Sequence, residues 1–159
     1  MIKITLIAMG RVKEKYLSDT VAEYKKRLSR YCDFKIIELE PVKLSDKPSV
    51  LEIEAALQKE SELILKAIPK EYTIIPLCVE GKMLTSEDFA DTVKREANIG
   101  KNIAFIIGSS YGLSEQVKSK GNLRLSLSSM TFPHQLFRSM LLEQIYRAFK
   151  IIEGSAYHK

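Results

Sequence analysis

Hydrophobic positions along this chain repeat with two alternating periods. Runs that are almost continuously apolar predict strands covered on both faces, and apolar residues three or four positions apart predict amphipathic helices. The predicted strands cover residues 2–9, 34–40, 72–81 and 102–108, and the predicted helices cover residues 14–31, 50–68 and 86–98. Alternation at this spacing is typical of βαβ units, so the sequence predicts the α/β class, with one parallel sheet and helices on both faces.

Two local features refine this prediction. Pro76 lies inside the third strand and lacks an N–H group, so we expect an irregular ladder there. Either Thr85 or Ser86 is expected to cap the helix that follows. Because ligands of parallel sheets bind beyond the carboxyl ends of the strands, the pattern points to Gly81, to residues 108–112 and to the stretch after residues 123–127.

A last helix is predicted over residues 134–152, with Thr131 as its N-cap and Pro133 in its first turn. Its apolar stripe is wide enough to serve the core and a partner subunit together, or the core alone. Its opposite face is expected to be polar and solvated, and carries Arg138, Ser139, Glu143, Gln144, Arg147 and Lys150. Glu143 and Arg147 are spaced i,i+4, for which a surface ion pair is the ordinary interpretation.

Both histidines of the chain, His134 and His158, lie in this closing segment. After Gly154 the tail SAYHK cannot continue the helix, and such a tail is usually frayed. However, Tyr157 and His158 are an aromatic ring and an imidazole, which suit a lid over a nucleobase. Both interpretations stay open on the residues alone.

Composition and charge narrow the function classes without choosing one. The chain has 159 residues and 45% hydrophobic residues, which fits one globular domain over residues 1–159. Its net charge of +5 makes a polyanion a plausible partner.

Two nucleotide-binding motifs are absent, GxGxxG and GxxxxGK[ST], so neither a dinucleotide-binding fold nor a P-loop is indicated. The spacing of Cys32 and Cys78 matches no zinc pattern, so no metal site is indicated. Without a signal peptide or membrane-length apolar run, the expected compartment is the cytoplasm.

Four blocks of sequence carry a family resemblance: IIPLCVEGK, FIIGSSYGLSE, LSLSSMTFPHQLFRSMLLEQIYRAF and the terminal YHK. Together they resemble the RlmH family of SPOUT-class methyltransferases, which methylate N3 of a pseudouridine in large-subunit (23S) ribosomal RNA. The resemblance runs along the whole chain. One departure is that Ser109 stands where the family commonly has the second glycine of GGS or GGP.

The resemblance implies a SPOUT fold whose C-terminal part forms a trefoil knot, a homodimer, and S-adenosylmethionine as co-substrate without a metal. The implied cofactor-binding residues are Leu77, Gly108, Leu127, Ser128, Ser129, Met130, Thr131 and Phe132. A branched side chain at Gly108 is expected to block this pocket without unfolding the protein. His134, beside the cofactor motif, either braces the knot or takes part in the chemistry.

The implied acceptor is an imide nitrogen, which has to lose its proton before it can attack a methyl group. The implied catalytic residues are Glu143, Arg147, Tyr157 and His158. His158 is a candidate base, Arg147 a candidate for stabilising the developing anion, and Glu143 either orients Arg147 or takes the proton itself. Tyr157 offers a ring on which a flipped base can stack, and the tail is expected to close from the partner subunit.

Three other functions stay open at this point. The chain could bind ribosomal RNA without catalysis, or methylate transfer RNA, or be an α/β domain for another small ligand. Because no separate RNA-binding domain is appended, an enzyme of this size has to recognise shape and charge, which favours an assembled ribosomal surface as the target.

Overall fold

The computed structural model describes residues 1–158, so Lys159, the last residue of the YHK block, lies outside the described residues. The strands are β1 (Lys3–Met9), β2 (Asp33–Leu39), β3 (Tyr72–Met83), β4 (Asn102–Ile107) and β5 (Leu125–Ser126). The α-helices are α1 (Lys15–Leu28), α2 (Val50–Ala67), α3 (Ser86–Asn98), α4 (Glu115–Lys118) and α5 (His134–Ile152), and a 3-10 turn covers Ala156–His158. Every long element predicted from the hydrophobic pattern is present.

The five strands form one parallel sheet in the order β2-β1-β4-β3-β5. Helices α1, α3 and α5 cover one face of the sheet and share a core with it. Helices α2 and α4 cover the other face over a smaller core that includes Ile64, Ile106 and Val117. The predicted α/β class, with helices on both faces of a parallel sheet, is confirmed.

The irregular ladder expected at Pro76 is present. Strand β3 pairs with β4 from Tyr72 to Pro76, and its pairing with β5 then shifts register between Leu77 and Lys82. At Gly81 an added Cβ would lie 2.7 Å from the backbone carbon of Leu125, so only glycine allows the two strands to approach this closely. The end of β3 is therefore bent around β5 rather than extended along β4.

Helix caps agree with the sequence at α3 and differ at α5. Thr85 caps α3 by accepting a hydrogen bond from the backbone N–H of Asp88 at 3.0 Å. Thr131 is not the cap of α5, which was the expectation, because this helix begins at His134 and its N-cap is Pro133. Thr131 is left free to line a cavity in front of the helix.

The prediction that one face of α5 is polar and solvated is wrong at two positions. Arg138 is 1% exposed and Ser139 is 6% exposed, so both point into the protein. The guanidinium of Arg138 donates to Glu38 Oε2 at 2.7 Å and to the carbonyl oxygen of Gly10 at 3.1 Å. Two chain segments at the carboxyl edge of the sheet are thereby tied to α5, which compensates for burying the charge.

We predict that Arg138→Met lowers the free energy of unfolding by about 2–3 kcal/mol, because two charge-assisted hydrogen bonds are lost and the Gly10 carbonyl loses a partner. The matched control is Arg30→Met, since Arg30 is exposed, and it should change stability by no more than about 0.5 kcal/mol. Urea unfolding of both variants measures the difference. Equal stabilities would contradict the tethering role of Arg138.

Candidate functional site

A cavity of about 630 Å³ lies at the carboxyl ends of β3 and β4, and we call it the glycine-loop cavity. Its walls come from the end of β3, from residues 107–113 and from residues 126–137. Six of the eight predicted cofactor-binding residues line it: Leu77, Gly108, Ser128, Met130, Thr131 and Phe132. Leu127 instead lines a separate cavity between α3 and α5, and Ser129 is exposed and lines neither.

Gly108 shapes this cavity by allowing a close approach of two backbone segments. A Cβ at this position would lie 2.3 Å from the carbonyl oxygen of Gly112 and 2.5 Å from its carbonyl carbon. Residues 108–112, which we call the glycine loop, close on themselves through a hydrogen bond from the backbone N–H of Gly112 to the carbonyl oxygen of Ser109 at 2.8 Å. Gly108→Val, expected to block the pocket without unfolding the protein, would therefore also displace the loop backbone, so a loss of binding in this variant would not report on the pocket alone.

Ser109, the departure from the family pattern, has a specific partner. Its hydroxyl donates to Glu60 Oε1 at 2.7 Å, and Glu60 is 4% exposed on α2. The other oxygen of Glu60 accepts from the backbone N–H of Val42 at 3.0 Å. A glycine at position 109 has no side chain to make the first bond, so the serine attaches the glycine loop to α2.

A second cavity, of about 1010 Å³, lies at the carboxyl ends of β1, β2 and β4, and we call it the basic-rim cavity. Residues Ser109, Ser110, Tyr111 and His134 line both this cavity and the glycine-loop cavity. The two cavities are therefore neighbours that share one wall, built from the glycine loop and the start of α5.

His134 is half-buried in that shared wall. Burial lowers the pKa of its imidazole, and the nearby guanidinium of Arg138 lowers the pKa further. A lowered pKa keeps the ring neutral near pH 7, where one nitrogen donates and the other accepts. The position of His134 favours a contact with whatever occupies the cavities over a purely bracing role.

Three of the four predicted catalytic residues meet on the C-terminal half of α5. Arg147 donates to Glu143 Oε1 through Nε at 3.0 Å and through Nη2 at 2.7 Å. The Tyr157 hydroxyl donates to Glu143 Oε2 at 3.0 Å, and its ring lies under the Arg147 guanidinium at 4.9 Å. We call Tyr24, Glu143, Arg147 and Tyr157 the tyrosine–carboxylate cluster, because Tyr24 also donates to Glu143.

Tyr24 is a member of this cluster that the sequence did not indicate; its ring packs against the core, and its hydroxyl group reaches α5. Its hydroxyl lies 2.5 Å from Glu143 Oε2. Burial, followed by the hydrogen bond to Glu143, raises the pKa of both Tyr24 and Tyr157 above the usual tyrosine value. Both phenols therefore stay protonated as donors, and Glu143 is occupied by three donor side chains. This arrangement favours Glu143 as the residue that orients Arg147 and Tyr157.

The tail is docked rather than frayed over its described part. Tyr157 packs edge-on against Tyr146 with ring centroids 5.1 Å apart. His158 Nε2 lies 2.6 Å from Glu87 Oε1 on α3, and this hydrogen bond lowers the pKa of Glu87. The other ring nitrogen of His158, Nδ1, is buried and has no hydrogen-bond partner among residues 1–158.

Within one chain, the predicted cofactor-binding residues and the predicted catalytic residues do not line the same cavity. None of Glu143, Arg147, Tyr157 and His158 lines the glycine-loop cavity within the described residues. Glu143 instead lines the separate cavity between α3 and α5, which shares Ser126 with the glycine-loop cavity. The tyrosine–carboxylate cluster of a chain is therefore not part of the glycine-loop cavity of the same chain.

Comparison with known proteins identifies the family. The family model described as "Predicted SPOUT methyltransferase" matches residues 2–158. The chain is 50% identical over 157 residues to "Ribosomal RNA large subunit methyltransferase H" of Clostridium botulinum (strain Okra / Type B1), covering 98% of this chain and 99% of that protein. The protein of the same name from Clostridium beijerinckii gives the same identity and coverage.

This chain belongs to the SPOUT methyltransferase family. The resemblance to the RlmH family, first carried by four sequence blocks, is confirmed by these full-length relatives. A solved methylase family protein from Neisseria gonorrhoeae has a similar fold, with a TM-score of 0.52 and 14% identity, covering 91% of this chain and 81% of that chain. Among the described residues no helix is long and apolar enough to cross a membrane, and no cluster of residues suited to a metal ion occurs.

We predict that the imidazole of His134 titrates below the ordinary histidine value of about 6.5. Since protonation is disfavoured in the folded state, the unfolded state binds more protons, and His134 should reduce the stability of the protein as the pH falls through about 6.5. NMR titration of the ring protons measures the pKa, and His134→Gln assigns the signal because the chain has 2 histidines. A pKa at or above the ordinary value would contradict the described environment.

Proposed function

We propose that this protein is a homodimeric S-adenosylmethionine-dependent methyltransferase that modifies N3 of a pseudouridine in large-subunit ribosomal RNA. The observation that carries the proposal is full-length identity of 50% to relatives named ribosomal RNA large subunit methyltransferase H. We further propose that residues 1–159 act as one catalytic domain and that the protein works in the cytoplasm on assembled ribosomal particles.

The glycine-loop cavity fits the methyl donor in size and chemistry. Its volume of about 630 Å³ is in the range of small-molecule sites. Leu77 and Ile107 offer apolar walls, and hydroxyl groups of Ser128 and Thr131 offer polar contacts. Lys118 on the wall is paired with Glu80, so its positive charge is neutralised where a sulfonium cation would bind. When bound, S-adenosylmethionine supplies an electrophilic methyl group.

We also propose that the segments around this cavity form the trefoil knot of the family. Support comes from one close approach of chain segments that are distant in sequence. A Cβ at Gly81 would lie 2.7 Å from the backbone carbon of Leu125, 44 positions later. A tight knot in a short chain requires segments to pass one another this closely.

Dimerisation is supported by apolar side chains that remain exposed beside the glycine-loop cavity. Met130, Phe132 and Leu136 are 72%, 38% and 37% exposed at the start of α5. A partner packed on this surface would bury them, and a two-fold axis would make the arrangement reciprocal. The tail of each subunit would then lie near the cavity of the other, which overcomes the separation within one chain.

In such a composite site, each residue has a role that its contacts support. Glu143 holds Arg147 and Tyr157 in place, so Arg147 can stabilise the anion that forms on the imide when its proton leaves. Tyr157 offers a ring face for stacking, although its packing on Tyr146 fixes the orientation. His158 is the candidate proton acceptor, and since its unpartnered Nδ1 is buried within residues 1–158, the docked tail has to move for this nitrogen to reach a substrate.

A binding protein without catalysis, and a methyltransferase for transfer RNA, are the competing functions. A formed cavity of small-molecule size disfavours the first, because RNA binding alone does not require it. The relatives are named for the large ribosomal subunit, which disfavours the second.

We predict that Thr131→Trp weakens the binding of S-adenosylmethionine by at least tenfold, because an indole at this exposed position would fill the glycine-loop cavity. Isothermal titration calorimetry measures the affinity, and an unchanged melting temperature shows that the fold is retained. The control is Ser129→Trp in the same loop, which lies outside the cavity wall and should bind nearly as well as the parent. Equal affinities of all three proteins would remove residues 128–132 from the donor site.

We predict that deleting the chain after Ala156 leaves the fold and S-adenosylmethionine binding nearly intact, since the cavity does not include the tail. Methyl transfer to ribosomes that lack the modification should fall at least about a hundredfold, as expected for losing an acid–base group. Transfer of a labelled methyl group to these ribosomes is the measurement. A near wild-type rate would mean that the tail has no part in catalysis.

A further inference from the structure

The basic-rim cavity is large, polar and adjacent to the proposed donor site, yet neither the donor nor the tail accounts for it. It lies where β1, with β2 on one side and β4 on the other, ends at the carboxyl edge of the sheet. This is the position at which neighbouring connections diverge and parallel sheets offer a crevice to a ligand.

The rim of this cavity carries positive charge that the protein does not neutralise. Arg11, Lys13 and Lys43 line the cavity and are exposed. Within residues 1–158 none of the three forms an ion pair. The contrast is Lys118 in the glycine-loop cavity, which is paired with Glu80. Cations held without counter-charges around a concave surface attract an anionic ligand.

The acidic side chains of the same cavity do not cancel this charge equally. Glu60 is buried and already accepts hydrogen bonds from Ser109 and from the backbone of Val42. Glu40 is exposed at the end of β2 and is the remaining carboxylate of the lining. Three cations against one exposed carboxylate leave the rim positive.

The loops that carry these cations are held in place by hydrogen bonds. The backbone N–H of Lys13 donates to Gln135 Oε1 at 3.0 Å, which joins the β1–α1 loop to α5. Val42, next to Lys43, is held by Glu60 at 3.0 Å. Gly10 is held by the buried Arg138. A rim that is already ordered loses little conformational freedom when it binds a ligand.

We propose that the basic-rim cavity binds backbone phosphates of the ribosomal RNA strand that carries the acceptor nucleotide. The inference rests on the proposed function, because the shared wall of Ser109, Ser110, Tyr111 and His134 places the cavity beside the methyl-donor site. Phosphates held at Arg11, Lys13 and Lys43 direct the adjoining nucleotide over this wall towards the glycine-loop cavity.

The test compares two charge-matched triple variants of the full-length protein. The rim variant combines Arg11→Gln, Lys13→Gln and Lys43→Gln. The control combines Lys66→Gln, Lys70→Gln and Lys101→Gln, whose residues are exposed near the amino ends of β3 and β4, at the opposite edge of the sheet. Each variant lowers the net charge of +5 by three, so non-specific attraction to RNA changes equally.

Binding to large ribosomal subunits that lack the modification is measured over a range of KCl concentrations, and S-adenosylmethionine binding is measured by calorimetry. We expect the rim variant to bind the particles at least tenfold more weakly than the control. Its plot of log affinity against log salt concentration should be shallower by about 2, since each lost phosphate contact removes about 0.7–0.9 from the slope. Its affinity for S-adenosylmethionine should equal that of the control.

Equal particle affinities and salt slopes for the two variants would overturn the inference. The inference would also be overturned if the affinity of the unsubstituted protein for the particles did not depend on the salt concentration. Failure of the proposed function has a different signature: the unsubstituted protein would bind particles and S-adenosylmethionine but transfer no methyl group.

Discussion

Helix α5 joins the glycine-loop cavity, at His134, to the tyrosine–carboxylate cluster around Glu143, and its rigidity fixes the distance between them. An α-helix rises about 1.5 Å per residue, so the nine positions from His134 to the mid-helix Glu143 correspond to about 14 Å along the axis. The chemistry that we propose needs both places, because the cavity holds the methyl donor and the cluster with the tail holds the groups that handle the proton. We propose that a second subunit meets this constraint by placing its tail beside the cavity of the first.

The carboxyl edge of the sheet is held by polar contacts that are buried within the protein. Arg138 ties α5 to β2 and to Gly10, and Glu60 ties the glycine loop to α2 through Ser109. These hydrogen bonds favour one arrangement of the edge, because another would separate the Arg138 charge from its carboxylate; Arg138 Nε is the one nitrogen of this guanidinium that is buried without a partner among residues 1–158. Both proposed binding surfaces are built on these contacts, which keep the donor site and the basic-rim cavity in a constant relation.

The hydrophobic pattern was sufficient to predict four of the five strands and the four long helices, because strands and helices differ in period. Its choice of the carboxyl edge agrees with the position of the two cavities. It also failed in instructive places. A periodicity argument assigns a charged residue to the solvent face, so it placed Arg138 outside although partners distant in sequence draw it inwards. It also missed the hydroxyl contact of Tyr24 with Glu143, because this contact joins positions that are 119 residues apart in the chain.

The residues of the proposed donor site came from the family resemblance, and six of the eight line one cavity. Neither the hydrophobic pattern nor the family resemblance predicted where backbone segments approach one another closely. The contact of Gly108 with Gly112 turns an apparently open glycine into a structural requirement. The basic-rim cavity could not be predicted for the same reason. Arg11 and Lys43 are separated in sequence by a helix and a strand, and they line one cavity only in the folded protein.

We propose that each active site combines the glycine-loop cavity of one subunit with the tail of the other. The test mixes two impaired variants, the protein truncated after Ala156 and Thr131→Trp, under conditions that exchange subunits and at an S-adenosylmethionine concentration too low to load Thr131→Trp. In a mixed dimer, the truncated subunit supplies an intact cavity and the Thr131→Trp subunit supplies an intact tail, so one complete site forms. We expect methyl transfer to unmodified ribosomes to rise on mixing above the summed rates of the two variants. If verified mixed dimers transfer methyl groups no faster than either variant alone, the tail does not act across subunits and the shared site is ruled out.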